Sequence, residues 1–89
     1  MGEVITTFKV MPDGLEIDLD GLKETIKKDV GVIVKVHDLR EQPIAFGLKA
    51  LLVMVTIPEQ EGVLEKVENA LEAIEGVSQV DTVDVRRAL

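Results

Sequence analysis

The apolar residues of this chain change their repeat from two to about 3.6 and back to two, and then do so again. No other feature restricts the fold as much, because a repeat of two suits a strand and a repeat near 3.6 suits a helix. Residues 4–10, Val-Ile-Thr-Thr-Phe-Lys-Val, are β-branched and aromatic and stop at the turn cluster Met11-Pro12-Asp13-Gly14. On a strand Val4, Phe8 and Val10 share one face, and Ile5, Thr7 and Lys9 share the other. Leu19, Leu22, Ile26 and Val30 then fall on one stripe of a helix. Asp18 and Asp20 stand at its start, where carboxylates satisfy free N–H groups and suit the positive dipole end, and Gly31 supplies a stop.

The second half repeats the pattern. Residues 32–39 are expected to form a strand that breaks at Arg40-Glu41-Gln42-Pro43. Residues 48–57 are the most apolar run, as befits a strand covered on both faces in the middle of a sheet. The spacing predicts a second helix over residues 62–74, with Leu64, Val67, Leu71 and Ile74 inward. Gly76 ends it, and residues 77–85 form the last strand, whose alternation slips near Val80 and predicts a bulge there. The order is βαββαβ. Two right-handed βαβ crossovers of that kind give an α+β ferredoxin-like sandwich, a four-stranded antiparallel sheet with both helices on one face. The first and third strands are expected at its centre. The other face carries no helix, so Ile5, Thr7 and parts of the third and fourth strands are expected to be partly exposed there, as a possible docking or self-association surface.

Eighty-nine residues suffice for one small domain, taken as residues 1–89. There is no cysteine for a disulfide or thiolate, and the single histidine, His37, provides little for a metal centre or a triad. The longest uncharged stretch, residues 50–58, is about half of a spanning helix, and Glu3 and Lys9 interrupt any leader. A cytoplasmic protein without a membrane anchor is expected. Seventeen acidic against ten basic residues, a net charge of −7, oppose binding to a phosphate backbone. Two phenylalanines with no tyrosine or tryptophan are too few aromatics for a base-stacking platform, so no direct nucleic-acid contact is expected.

No constellation for covalent chemistry stands out. Asp18 and Asp20 are accounted for by capping. Asp81 and Asp84, three apart on a strand, point to opposite faces unless the expected bulge realigns them. His37 is expected as a solvated residue of an edge strand. Glu65, Glu68, Glu72 and Glu75 make an acidic stripe on the second helix, either a solvated face or a surface suited to a basic partner. No catalytic residue, metal ligand or cofactor site is assigned, and the chain is not expected to be an enzyme.

Residues 43–49, Pro-Ile-Ala-Phe-Gly-Leu-Lys, place one of the two aromatics beside a glycine at the mouth of a central strand. On physical grounds alone Phe46 can be core or an exposed anchor, since Gly47 removes shielding bulk. Pro43 followed by Phe46, Gly47, Leu48 and Lys49, with Val10, Pro12 and Asp13 closing the first strand, resembles the exchange domain of the translation elongation factor 1-beta family. The resemblance spans nearly the whole chain, and the length suits the short archaeal form. It implies the sandwich fold and guanine nucleotide exchange on elongation factor 1-alpha, the GTPase that delivers aminoacyl-tRNA, with no nucleotide or cofactor bound by the factor itself.

The resemblance also implies partner-binding residues. The aromatic at Phe46 packs against the second domain of the GTPase, flanked by Gly47 and Lys49. Eukaryotic relatives place a penultimate lysine in the partner's magnesium site. Here the tail is shorter and residue 88 is alanine, so Arg86 or Arg87, followed by Leu89, stand in for it, and two solvated charges at a frayed end are the other reading. The rival function is a small-molecule-binding regulatory domain of the same fold, which stabilisation by an amino acid or nucleotide would favour. A third is an interaction module docking through the uncovered sheet face.

Overall fold

The computed structural model describes residues 2–88. Elements follow in the order β1 (Glu3–Pro12), α1 (Leu19–Gly31), β2 (Lys35–Pro43), β3 (Lys49–Pro58), α2 (Val63–Glu72) and β4 (Val77–Ala88). The four strands form one sheet in the order β2-β3-β1-β4, every neighbouring pair antiparallel. This is the expected ferredoxin-like α+β sandwich, with β1 and β3 central. None of the described helices is long and apolar enough to cross a membrane.

The core follows from the two repeats. Phe8 and Val10 of β1 meet Leu51, Val53, Val55 and Ile57 of β3, and over them lie Leu22, Ile26 and Val30 of α1 with Val67 and Leu71 of α2. Burying each such side chain contributes about 1.5–3 kcal/mol. Asp18 caps α1 by accepting from the Asp20 N–H at 3.2 Å. Ile17, just before the cap, packs against the core in the position of a hydrophobic staple.

Several local expectations are corrected. Strand β2 starts at Lys35, not at residue 32, because Gly31 is still helical and Val32 caps α1 with its side chain 83% exposed. It also runs through the expected break to Pro43, since an edge strand tolerates a proline at its end. Val67 and Leu71 on α2, and Ile74 just past it, are buried as the spacing predicts, but Leu64 is exposed and Val63 packs against the core in its place, so the stripe is corrected only at its first member. Glu75 lies in the turn after α2, off the acidic stripe.

The β1–β4 register shifts twice, between Thr7 and Phe8 and between Met11 and Pro12, and so flanks Val80, which pairs normally with Val10. The first shift leaves Val83 without a Cα partner. Asp81 therefore sits opposite Lys9 and Asp84 opposite Thr7, on one face. The bulge realigns the two carboxylates. They are nevertheless engaged separately, Asp81 with Gln79 Nε2 at 2.9 Å and Asp84 with Arg86 Nε at 2.8 Å. On the sheet face without helices Ile5, Met54 and Thr56 are half-buried, but Thr7 is buried, shielded between Met54 and Asp84 on the neighbouring strands.

Thr6 is fully buried, and its hydroxyl has no hydrogen-bond partner among the described residues. A buried unsatisfied hydroxyl costs about 1–3 kcal/mol. Thr6→Val keeps the shape and removes that cost, so it is expected to stabilise the fold by about 1 kcal/mol, raising the melting midpoint by roughly 4–8 °C. Differential scanning calorimetry checks this. A midpoint at or below the parent's would mean that the hydroxyl is satisfied.

Candidate functional site

Phe46 is the most exposed large apolar side chain among the described residues, with 95% of its surface open. The cause is the turn between β2 and β3. The Leu48 N–H donates to the Ala45 carbonyl at 2.9 Å, and the Ile44 N–H donates to the Leu48 carbonyl at 2.9 Å. The two residues at the tip, Phe46 and Gly47, have φ of 53° and 82°. Positive φ at both tip positions matches the twist of the flanking strands. Glycine adopts it freely, whereas a residue with a Cβ loses about 1–2 kcal/mol. Phe46 is the only non-glycine residue with positive φ among those described. The chain thus bears both backbone strain and an exposed ring at one position, a combination found at functional sites.

Lys49 opens β3 at the base of this turn, and its Nζ lies 3.5 Å from Glu41 Oε1. The other oxygen of Glu41 accepts from Lys23 Nζ at 2.7 Å, so one carboxylate ties α1 to β2 and β3 under the hairpin. The hydrogen bond from Lys23, together with its charge, holds Glu41 below the ordinary value of 4.5, and the bond to Glu41 lifts Lys23 above 10.5. Asp38 is likewise held low, by the hydrogen bond from Arg40 and then by the Leu39 N–H.

The lowered Glu41 pKa makes its contribution to stability complete above 4.5 and lost as pH falls through the lowered value. Acid is therefore expected to weaken the parent more than Glu41→Gln, since Asp38 titrates in both. Melting curves from neutrality down to about pH 3 check this. Equal acid sensitivity in the two proteins would show that the bridge does not hold the hairpin.

Arg86 and Arg87 are not near the turn. They sit opposite Ile5 and Val4, which in turn face Thr56 and Ile57 at the far end of β3. Eight residues of extended strand separate Lys49 from Ile57, or about 27 Å, along a molecule 42 Å in its longest dimension. The paired arginines also straddle the sheet, Arg86 on the face without helices and Arg87 on the helical face. Arg86 Nε lies 2.8 Å from Asp84 and Arg87 Nε 4.0 Å from Glu59, with both guanidinium side chains largely in solvent. Such exposed pairs are worth at most about 1 kcal/mol and can exchange for another partner. The structure thus brings Phe46, Gly47 and Lys49 together and sets Arg86 and Arg87 at the opposite end. Leu89 lies outside the described residues.

Leu15 is not found by sequence reasoning, because it falls between the turn cluster and the helix stripe and belongs to neither repeat. It is 67% exposed, and a Cβ placed on Gly47 would sit 3.4 Å from its Cδ2. An apolar residue ahead of a helix cap, spaced from no stripe, is the one signal that could have marked it.

Comparison with known proteins gives a single direction. The family described as the EF-1 guanine nucleotide exchange domain matches residues 5–88. Elongation factor 1-beta of Methanothermobacter thermautotrophicus is 45% identical over 89 residues, covering all of both chains. The protein of that name from Methanosarcina barkeri is 43% identical over 98% of this chain and 99% of its own. The one from Staphylothermus marinus is 44% identical over 98% of each. With the sandwich fold already in hand, these matches mean that the chain belongs to the EF-1 guanine nucleotide exchange domain family, and its role is guanine nucleotide exchange in translation elongation.

Proposed function

We propose that the chain, acting as one domain over residues 1–89, speeds GDP release from elongation factor 1-alpha in the cytoplasm. It does so through two contacts at opposite ends of the sheet. Phe46, with Gly47 and Lys49 beside it, anchors the factor on one domain of the GTPase. Arg86 or Arg87, with Leu89 beyond them, works at the nucleotide domain. The observation that carries this reading is the Phe46 ring, held open to solvent by a strained turn in a chain of this family.

Energetics separate the two roles. Covering an exposed phenylalanine side chain contributes roughly 1.5–3 kcal/mol. That affinity is the same whether or not nucleotide is present, so it holds the factor but does not release GDP. Release needs binding that differs between the two states, because linkage makes the coupling reciprocal. A thousandfold acceleration of dissociation through weakened affinity corresponds to about 4 kcal/mol of difference. A guanidinium within about 6 Å of the partner's magnesium ion, at an effective dielectric near 20, raises the energy of the bound metal by roughly 5 kcal/mol. One well-placed cation is therefore sufficient. No covalent bond changes in this process, so it asks for no acid, base or nucleophile.

Stopped-flow release of fluorescent GDP from cognate elongation factor 1-alpha tests the proposal. The rate is expected to rise with added factor and then saturate. A rate independent of the factor at every concentration would end the reading.

A further inference from the structure

A groove of about 190 Å³ opens beside the hairpin, between the β1–α1 connection and the start of β3. Pro12, Leu15, Ile17, Leu19, Leu48 and Lys49 line it together with glycines, and of these Lys49 alone is charged. The exposed Leu15 forms one rim, and the hairpin bearing Phe46 forms the other. The connection is tied down rather than loose. The Asp13 N–H donates to the Gly76 carbonyl at 2.8 Å, and Ile17 and Leu19 pack against the core. The groove therefore stands ready-made.

Its size and chemistry specify the occupant. Pockets for drug-sized ligands run from about 300 to 1,000 Å³, whereas this one holds about one large apolar side chain. Lys49 is half-exposed at its edge and lies 3.5 Å from Glu41, while an ammonium has three donors, so it can donate to a second carboxylate. Gly47 adds no side chain at the approach, and a Cβ there would be in ordinary van der Waals contact with Leu15 Cδ2 at 3.4 Å.

Resting on the proposal that this hairpin meets the GTPase, we infer that the groove receives one apolar side chain of the GTPase, adjoined by a carboxylate that pairs with Lys49. Phe46 reaches into the partner while Leu15 and its neighbours receive a side chain in return. Interlocking in both directions fixes the orientation of the factor, which a single protruding ring cannot do.

The test measures the affinity of the nucleotide-free GTPase for the parent protein and for Leu15→Asp, Leu15→Ala and Phe46→Ala, with a melting curve for each. Leu15→Asp is expected to weaken the complex about tenfold or more at an unchanged melting temperature, and Leu15→Ala less so. If Leu15→Asp lowers the melting temperature, Leu15→Ala decides in its place. Parental affinity in the Leu15 variants, with weakened binding in Phe46→Ala, overturns the groove and leaves the anchor standing. Parental affinity in all three variants overturns both.

Discussion

Replacing Phe46 by alanine is expected to raise the concentration of factor needed for half-maximal GDP release by about 30-fold, with little change in the maximal rate. The ring is 95% exposed and therefore contributes almost nothing to the core, so the melting temperature should stay close to the parent's. Alanine also retains a Cβ at φ 53°, which leaves the shape of the turn under the same demands. Loss of apparent affinity without loss of stability is the signature of a surface anchor. A parental concentration dependence would remove Phe46 from the interface, whatever the family suggests.

The second large effect is expected at the opposite end of the sheet and has the reverse form. The double variant Arg86→Gln, Arg87→Gln should lower the maximal rate of GDP release about tenfold or more, while complex affinity falls much less. Both side chains are exposed, with ion pairs to Asp84 and Glu59 that contribute little, so the fold has little to lose. Separating the two substitutions tells which face of β4 meets the nucleotide domain, since the residues point to opposite sides of the sheet. About 27 Å from the hairpin, these changes should add independently to Phe46→Ala. Saturation at the parental rate would assign the release step to another element, with Lys49 and the connection from Met11 to Gly14 next in line.

Much of the architecture is legible in the primary structure. A period of two in β1 and the doubly apolar run of β3 mark central strands, and the stripe through Leu22, Ile26 and Val30 marks a helix with Asp18 as its cap. These are local properties, set by how often a side chain returns to the same side. The Phe46-Gly47 pair is legible too, as an aromatic and a glycine at the mouth of β3, but the tight positive-φ turn they form emerges only with β2 paired to β3 as far as Lys49. What misleads is any feature decided by a neighbour. At the first turn of α2, packing rather than spacing decided that Val63 and not Leu64 faces the core. The reach of β2 depended on β3 continuing alongside it to Lys49.

Residue order alone determined the succession of elements, the faces that form most of the core and the presence of an aromatic-glycine pair, because each arises from repeat and backbone preference within a few residues. Only the tertiary structure decided that Phe46 is held outward in a strained turn with Leu15 across Gly47, that a bulge turns Asp81 and Asp84 to one side, and that Arg86 and Arg87 lie a whole sheet length from the ring. Antiparallel pairing is the physical reason. It brings chain segments tens of residues apart into register through hydrogen bonds, and that register sets which ends meet and which are kept apart.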